Sequence, residues 1–340
     1  MPDAAASFDE IRSLLKELPG PDLEAGTQAV ERQRILTKPA GSLGRLEEIA
    51  RFMATWQGRH PPKCDRPRVA VFAGNHGVAA RGVSAYPAEV TAQMVRNFIA
   101  GGAAVNQLTA QIDGDLRVYE MDLEHPTGDF TQGPAMDEAR CARAMAYGMM
   151  AVEPGIDLLC LGEMGIGNST SAAALCLALF GGEAGDWTGP GTGVAGAALA
   201  RKREAVADGV AANRAALGDP LRVLAALGGE ELAAIAGAIL AARLARVPVL
   251  LDGFACCAAA AIVQALDPRG LDHCLAGHLS AEPGHVRLLE NLGMDPLLRL
   301  GMRLGEGSGA ALAVGVVKAA IACHAGMASF AEAEISGRLA

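Results

Sequence analysis

Five short apolar runs, separated mostly by alanine-rich stretches, constrain the fold of this 340-residue chain more than any other feature. Each run has the length of a buried strand, and the stretches between them have the length and composition of helices. Strands that alternate with helices favour crossover connections and a parallel sheet with helices on both faces. We expect the strands at residues 69–73, 116–121, 157–161, 247–251 and 272–276.

This pattern predicts an α/β fold with a doubly wound, mostly parallel, Rossmann-like sheet of about six strands. We expect residues 66–290 to form this nucleotide-binding catalytic domain. Helical patterns without strands of their own lie at residues 8–18, 27–34, 46–56 and 310–330. Residues 1–65 and 291–340 are therefore predicted to pack together as a smaller helical domain.

Composition and charge exclude several functional classes. Hydrophobic residues make up 51% of the chain and aromatic residues only 4%, which suits helices around a buried parallel sheet. The net charge is −9 and no basic run is longer than residues 201–203, which argues against a nucleic-acid or anionic-membrane partner. Any anionic ligand is therefore expected to be held by local groups.

Three further features indicate a cytoplasmic protein. The eight cysteines are scattered without a Cys-x-x-Cys pair, which indicates reduced, buried thiols. The acidic start, Met1-Pro2-Asp3, lacks the basic and apolar regions of a signal peptide. The longest apolar stretch, residues 247–266, is interrupted by Asp252-Gly253 and is better explained as a strand, a turn and a helix than as a membrane span.

Polar residues follow each predicted strand. They are Gly74-Asn75-His76-Gly77, Asp122, Gly162-Glu163, Asp252-Gly253 and Gly277-His278. In a doubly wound sheet the carboxyl ends of the strands face one crevice, where ligands bind. We therefore expect these side chains to converge, although strand ends also carry ordinary turn residues in any α/β protein.

The glycine-rich segment at residues 162–171, between a predicted strand and an alanine-rich helix, predicts a phosphate cradle. Glycines let the backbone approach a ligand, and Asn168, Ser169 or Thr170 can cap a helix whose free N–H groups attract an anion. The segment is not a Walker loop, because no Gly-Lys-Ser/Thr follows the glycines. A simple capped helix after a tight turn is the alternative.

A second glycine run, residues 189–196, formally matches the dinucleotide fingerprint at Gly191, Gly193 and Gly196. No buried strand precedes it, so we do not predict a dinucleotide site there. Lys202 follows at the start of a helix and could supply a positive charge to the same phosphate. The alternative for Lys202 is a solvated helix lysine.

Near the C-terminus, Glu306 lies between glycines in Gly305-Glu306-Gly307-Ser308-Gly309, immediately before a long apolar helix. A carboxylate flanked by glycines does not help packing, so a positional demand such as that of a general base is plausible. The alternative is a surface turn whose acidic residue is favoured by the dipole of the following helix.

His, Cys and Glu occur together near residues 273–285, but a metal site is not predicted there. Pro283 and Gly284 interrupt the helix that would align His278, Glu282 and His285, and no His-Glu-x-x-His pair exists. We therefore expect neither a metal nor another cofactor. His76 is expected to be a hydrogen-bonded turn histidine.

Several segments together resemble the nicotinate-nucleotide:dimethylbenzimidazole phosphoribosyltransferases, which activate the lower base of cobalamin. They span about 270 residues in the family's order, which is more specific than any single motif. One departure is Asn75, where the family usually has Asp. The matching segments are residues 38–47, 72–94, 162–170, 250–254, 280–285 and 305–309.

The resemblance implies transfer of ribose 5-phosphate from nicotinate mononucleotide to 5,6-dimethylbenzimidazole, giving α-ribazole 5′-phosphate and nicotinate. It implies Glu306, delivered by the C-terminal segment, as the base, with Glu163 as a second carboxylate. The base pocket it implies comprises Ser84, Tyr86, Gln93 and Met164. The ribose phosphate site it implies comprises Gly165, Gly167, Asn168, Ser169, Thr170, Lys202 and Ser280.

The same resemblance implies a homodimer that acts on small molecules, without nucleic acid or membrane. Two other functions remain as alternatives. A catalytically inactive nucleotide-binding regulator on the same fold would keep the glycine-rich loop but would not need Glu306. A zinc enzyme would use His278 and His285 as ligands.

Overall fold

One parallel sheet of five strands forms the centre of the computed structural model, which describes residues 7–336. The strand order is β2-β1-β3-β4-β5, and all neighbours pair in parallel. This confirms the predicted doubly wound α/β sheet and each of the five apolar runs. The strands are β1 (Pro67–Gly74), β2 (Asp115–Met121), β3 (Leu158–Met164), β4 (Val249–Leu251) and β5 (Cys274–Ala276).

The predicted count of about six strands is one too high for the described residues. Beside β5, the N–H groups of Leu297 and Leu298 donate to the carbonyls of Ala276 and Gly277, at 2.9 and 3.1 Å. This segment forms only one isolated bridge, between Leu298 and His278. It occupies the place of a sixth strand without extending the ladder.

Fourteen α-helices lie within residues 7–336. The run at residues 247–266 is β4, a turn and α12, as the sequence predicts. The helices are α1 (Phe8–Leu15), α2 (Leu23–Ile35), α3 (Arg45–Gln57), α4 (Val90–Ile99), α5 (Ala104–Gln111), α6 (Glu138–Met149), α7 (Asn168–Phe180), α8 (Ala184–Trp187), α9 (Gly196–Ala212), α10 (Pro220–Leu227), α11 (Glu230–Leu244), α12 (Phe254–Leu266), α13 (Pro283–Leu292) and α14 (Ser308–Gly326).

Helices cover both faces of the sheet. On β1, Ala70 and Phe72 belong to one apolar cluster, formed with helices that include α6, α7, α11 and α12. Val69 and Val71 face the other way and belong to a second cluster with α3, α4, α5 and α14. Because both of their faces are buried, β1, β3, β4 and β5 are largely apolar. The edge strand β2 is only half-buried and alternates apolar residues with Asp115, Arg117 and Glu120.

The C-terminal helix α14 is the one described helix long and apolar enough, by length and composition, to cross a membrane. Its residues Val314 and Val317 are fully buried in the second apolar cluster, together with Val69 of β1 and Cys160 of β3. It thus covers part of the sheet while it also packs against α3. The division of the chain into a catalytic and a smaller helical domain stays a prediction.

The strand order places a topological switch point between β1 and β3. The chain leaves β1 for β2 at one edge, and then returns to build β3, β4 and β5 on the other side. Successive crossovers that run in opposite directions leave a crevice at the carboxyl ends of the two central strands. Residues that follow β1 and β3 therefore border the expected ligand site.

Candidate active site

A cavity of about 500 Å³ opens at the carboxyl ends of the strands. Its wall includes residues that follow β3, β4 and β5, together with one face of α4 and the loop before α14. Of the predicted site residues, the cavity is lined by Tyr86, Glu163, Met164, Gly165, Asn168, Ser169, Ser280 and Glu306. The predicted residues outside its wall are Ser84, Gln93, Gly167, Thr170 and Lys202.

Glu306 lies on a turn that its neighbours hold in an unusual backbone conformation. Its φ is 63°, in the left-handed region that residues other than glycine rarely adopt. The Glu306 N–H donates to the carbonyl of Glu163 at 3.1 Å, which ties the turn to the end of β3. Gly162 permits this approach, because a Cβ there would lie 2.4 Å from the nitrogen of Gly307. Tertiary contacts therefore determine where Glu306 lies.

Asp252, fully buried after β4, anchors the same turn. Its Oδ2 accepts the N–H of Gly307 at 3.2 Å, and its Oδ1 accepts the N–H of Ala310 at 2.9 Å. These are N–H groups at the start of α14, which a helix cannot satisfy internally. Burial raises the pKa of Asp252, whereas the nearby His278 and the amide donors oppose that rise. Asp252 thus caps α14 from another part of the chain.

Glu306 is only 5% exposed, and its Oε2 has no hydrogen-bond partner among residues 7–336. Burial in the cavity wall raises the pKa of Glu306 to about 7, and the neighbouring charge of Asp252 contributes to the rise. A carboxyl group with such a pKa can take up and release a proton near neutral pH, which is the property of a general base.

Glu163, at the end of β3, adds a second carboxyl group to the cavity wall. Its Oε2 accepts a hydrogen bond from the side-chain amide of Asn168. Burial raises the pKa of Glu163 to about 8, the charges of Asp252 and Glu231 add to the rise, and the Asn168 hydrogen bond opposes it. Glu163 is therefore mostly protonated at neutral pH. We term Glu163, Asp252 and Glu306 the carboxylate cluster.

The segment before and into α7, residues 165–169, forms another part of the wall and is termed the glycine turn. Gly165 must be a glycine, because a Cβ there would lie 2.6 Å from the carbonyl of Gly74. Gly167 has a φ of 99°, which also favours glycine. Among the described residues, the N–H groups of Gly167 and Ser169 have no hydrogen-bond partner in the protein. Unpaired N–H groups at a helix N-terminus favour an anion.

Lys202 lies behind Ser169 and outside the cavity wall. Its ammonium group donates to the Oγ of Ser169 and to the carbonyl of Gly189, both at 3.0 Å, and the side chain is 1% exposed. Burial lowers the pKa of Lys202 to about 8, and the charge of Glu282 opposes that shift. The alternative of a solvated helix lysine is therefore wrong. Ser169 lies between the lysine and the cavity.

The face that α4 presents to the cavity differs from the one the sequence suggested. Gln93 is exposed, whereas Val90 and Met94, four residues apart, line the cavity. Ser84 contacts a wall residue instead, because its Oγ lies 2.9 Å from the Oγ1 of Thr192. Sequence reasoning missed Val90 and Met94, although their helical spacing could have identified them.

The second glycine run contributes to the cavity without forming a dinucleotide site. The residues before it form the short helix α8 and not a strand, as expected. The N–H of Gly191 donates to Oε1 of Glu282 at 2.9 Å, and Arg303 donates to the carbonyl of Gly191 at 2.8 Å. Sequence reasoning missed Glu282 and Arg303 as cavity residues, because only the fold brings them to Gly191.

His76 is a hydrogen-bonded turn histidine, as predicted. Its Nδ1 lies 3.0 Å from the Oγ of Ser171, and its Nε2 lies 2.7 Å from Oε1 of Glu231. The buried His76 lies against the glycine turn, because a Cβ on Gly165 would lie 3.3 Å from the Nε2 of its ring and a Cβ on Gly167 would lie 3.3 Å from its Cβ. The preceding Asn75 donates its side-chain amide to the carbonyl of Leu123 at 2.9 Å. These contacts hold His76 and Asn75 in place next to the glycine turn.

The described residues contain no group of three or more His, Cys, Asp or Glu arranged to hold a metal ion. His285, one ligand of the zinc alternative, accepts the N–H of Ser280 through its Nδ1 at 2.9 Å. Burial lowers the pKa of His285 to about 3, and the nearby His278 adds to that shift. The geometry does not favour the zinc alternative, and independence from metal stays a prediction.

Comparison with known proteins places close relatives in one group of transferases. A family model described as phosphoribosyltransferase matches residues 18–335. The nicotinate-nucleotide–dimethylbenzimidazole phosphoribosyltransferase of Brucella anthropi is 59% identical over 330 residues, which cover 97% of each chain. The protein of the same name from Sinorhizobium medicae is 59% identical over 332 residues, which cover 98% of each chain.

Solved structures give the same result. A crystal structure of the phosphoribosyltransferase of this name from Thermus thermophilus matches with a TM-score of 0.86 and 43% identity, covering 93% of this chain and 99% of that chain. A crystal structure of CobT from the same organism matches with a TM-score of 0.87 and 45% identity, covering 92% and 99%. The likeness extends over nearly the whole chain.

Proposed function

The chain belongs to the nicotinate-nucleotide–dimethylbenzimidazole phosphoribosyltransferase family, and we propose that the cavity at the strand ends is its active site, with Glu306 as the base. The enzyme transfers ribose 5-phosphate from nicotinate mononucleotide to 5,6-dimethylbenzimidazole, giving α-ribazole 5′-phosphate and nicotinate for the lower ligand of cobalamin. The observation that carries the proposal is Glu306, a buried carboxylate on a left-handed turn in the cavity wall.

Proton transfer is the part of the reaction that the protein must supply. One ring nitrogen of dimethylbenzimidazole attacks the anomeric carbon with its lone pair, and the bond to the nicotinate nitrogen breaks with its electron pair. The second ring nitrogen then carries a proton that must leave to avoid a cationic product. Glu306 accepts that proton, because its pKa of about 7 leaves it substantially ionised at neutral pH.

The glycine turn is proposed to bind the 5′-phosphate. The unpaired N–H groups of Gly167 and Ser169 and the α7 dipole favour a dianion there. The Ser169 hydroxyl already accepts a hydrogen bond from Lys202, so its own proton is available to the phosphate. Lys202 thereby contributes its charge through Ser169, and Ser280 adds a further hydroxyl in the wall.

The apolar part of the wall is proposed to hold the aromatic base. Tyr86, Val90, Met94 and Met164 line the cavity and offer the surfaces that a flat aromatic ring would contact. Glu163, mostly protonated at neutral pH, can donate a hydrogen bond without adding a negative charge beside Glu306. Ser84 would act through Thr192, whereas no contact supports a role for Gln93.

We further propose that the enzyme is a cytoplasmic homodimer, by analogy with its family. Light scattering after size-exclusion chromatography should give a mass near twice the 34.8 kDa of one chain. A mass equal to that of one chain would contradict the dimer. The inactive regulator considered from the sequence is not supported, because the relatives that match nearly the full length are named as phosphoribosyltransferases.

The reaction is tested directly with the purified protein. Incubation with nicotinate mononucleotide and dimethylbenzimidazole should release nicotinate and α-ribazole 5′-phosphate in equal amounts, measured by liquid chromatography with mass detection. Omission of dimethylbenzimidazole is the control, and it should leave the nucleotide intact. Absence of nicotinate at enzyme concentrations equal to substrate would refute the proposed function.

A further inference from the structure

Asp252 and His278 lie beside the Glu306 turn and have no part in the chemistry proposed above. Asp252 is 0% exposed and His278 is 1% exposed. Within residues 7–336 neither ring nitrogen of His278 has a hydrogen-bond partner, although its Nε2 lies 3.5 Å from Oδ1 of Asp252. A buried imidazole without hydrogen bonds is costly, so its retention in the cavity wall requires an explanation.

The backbone contacts of Asp252 lie directly after Glu306 in the chain. The N–H of Gly307 donates to one carboxylate oxygen and the N–H of Ala310 donates to the other. A carboxylate can accept at both oxygens at once, whereas an amide offers only one acceptor. Asp252 therefore holds the turn through both of its carboxyl oxygens, and the direction in which Glu306 leaves the turn depends on these contacts.

Close packing determines the position of the imidazole as well. A Cβ on Gly309 would lie 2.0 Å from Cδ2 of His278, so the ring lies directly against the first turn of α14. A Cβ on Gly277 would lie 2.9 Å from Cα of Ala310, which brings the end of β5 onto the same turn. The ring is thus closely packed between the end of β5 and the first turn of α14, beside Asp252.

The charges around Glu306 are mostly of one sign. Asp252 follows β4 and Glu163 ends β3, while Glu231 of α11 faces Glu163. Glu282 and Arg303 also lie in the cavity wall, where Arg303 is bound to the carbonyl of Gly191. His278 faces Asp252 directly, and the ring of His285 of α13 lies 6.4 Å from the His278 ring, centroid to centroid. The charge of Asp252 helps to raise the pKa of Glu306, so a change at Asp252 should be felt at the base.

We propose that Asp252 positions Glu306, with the His278 ring packed beside it. Asp252 holds the left-handed turn through the N–H groups of Gly307 and Ala310, and the His278 ring packs against the first turn of α14 next to that carboxylate. Asp252 acts through the turn and not on the reacting atoms, so it is a positioning residue. The inference rests on the proposed reaction, in which Glu306 is the base.

The test compares Asp252→Asn and His278→Gln with Asp208→Asn, an exposed residue of α9. In Asp252→Asn we expect kcat to fall about 100-fold with KM changed less than about threefold, because a displaced base slows the chemical step. The acid limb of its kcat profile should move to lower pH, since a negative charge beside Glu306 is gone. Asp208→Asn should match the wild type.

His278→Gln should lower kcat about tenfold, because without the imidazole the Asp252 carboxylate and the turn that it holds can shift. Loss of structure alone would not move the acid limb of Asp252→Asn to lower pH. An unchanged kcat or an unmoved acid limb in Asp252→Asn would overturn the proposal. If Asp252→Asn does not fold, the exchange of the Gly307 and Ala310 amides in His278→Gln decides, and exchange as slow as in the wild type would overturn the proposal.

Hydrogen exchange separates this inference from the proposed reaction. In Asp252→Asn the amides of Gly307 and Ala310 should exchange about tenfold faster than in the wild type, because at least one loses its acceptor. Unchanged exchange would refute the positioning role even if the enzyme is active. If the wild-type protein releases no nicotinate but Asp252→Asn still shows the faster exchange, the reaction is refuted and the positioning role of Asp252 is retained.

Discussion

The carboxylate cluster and the glycine turn meet at one cavity, but burial acts on them in opposite directions. In the cluster, burial raises the pKa of Glu306 to about 7 and that of Glu163 to about 8. Behind the turn, burial lowers the pKa of Lys202 to about 8. The same desolvation therefore brings acids and a lysine to titration near neutral pH, where each can respond to a substrate.

The two regions also differ in how they are assembled. The glycine turn is one continuous segment, residues 165–169, and its conformation is set by local backbone geometry and close packing. The carboxylate cluster collects single residues from the ends of β3 and β4 and from the loop before α14. We expect substitutions in the cluster to change turnover and substitutions at the turn to change nucleotide affinity.

The largest effect is expected for Glu306→Gln. Loss of the base should lower kcat about a thousandfold, with nicotinate mononucleotide affinity changed by less than about twofold, because the phosphate site is intact. Steady-state kinetics and calorimetric titration measure the two quantities. Glu290→Gln, an exposed residue of α13, is the matched control and should behave as the wild type. Unchanged turnover in Glu306→Gln would contradict the assignment of the chemical step to the carboxylate cluster.

Gly162→Ala tests the position of Glu306 separately from its charge, because the substitution removes no ionisable group. The new Cβ would meet the nitrogen of Gly307 at 2.4 Å and displace the Glu306 turn. We expect kcat to fall about 100-fold while nucleotide affinity is nearly retained. Gly315→Ala is the control, because nothing lies within 4 Å of its Cβ position in α14, and a helix-interior alanine should be neutral or stabilising. Equal kcat in the two variants would contradict the prediction.

Lys202→Met should mainly weaken the binding of nicotinate mononucleotide, whereas the two preceding substitutions mainly lower kcat. Removal of the ammonium group leaves the Ser169 hydroxyl without its donor, so nicotinate mononucleotide should bind roughly 10- to 30-fold more weakly. Turnover at saturating nucleotide should fall less than about threefold. Titration calorimetry measures the affinity, and Arg203→Met, an exposed neighbour on α9, is the control. A large loss of kcat at unchanged affinity would assign Lys202 to the chemical step.

The smallest effect concerns stability. The pKa of Glu163 rises from the ordinary 4.5 to about 8 in the folded protein, so its contribution to stability is complete below pH 4.5 and is lost as pH rises to about 8. Glu163→Gln cannot ionise and should raise Tm at pH 9 by roughly 5 to 7 °C. At pH 4 the two proteins should melt alike. A Tm gain confined to pH 4 would contradict the raised pKa.

Much of this architecture could be predicted from local sequence pattern. The runs that form β1, β3, β4 and β5 are buried strands, and such apolar strands need no partner-specific signal to be recognised. The glycine turn is similarly visible, because Gly165 and Gly167 occupy positions that side chains cannot. The predicted sixth strand is wrong for the described residues, because the segment beside β5 forms one isolated bridge and no further strand pairing.

The sequence by itself therefore determined the parallel sheet, the glycine turn and the place of Glu306 between two glycines. Only the tertiary structure decided that Lys202 is buried behind Ser169, that Val90 and Met94 face the cavity in place of Gln93, and that Asp252 holds the Glu306 turn. The reason is physical. Backbone preferences act over a few residues, whereas burial, and the pKa shifts that follow from it, depend on segments far apart in the chain.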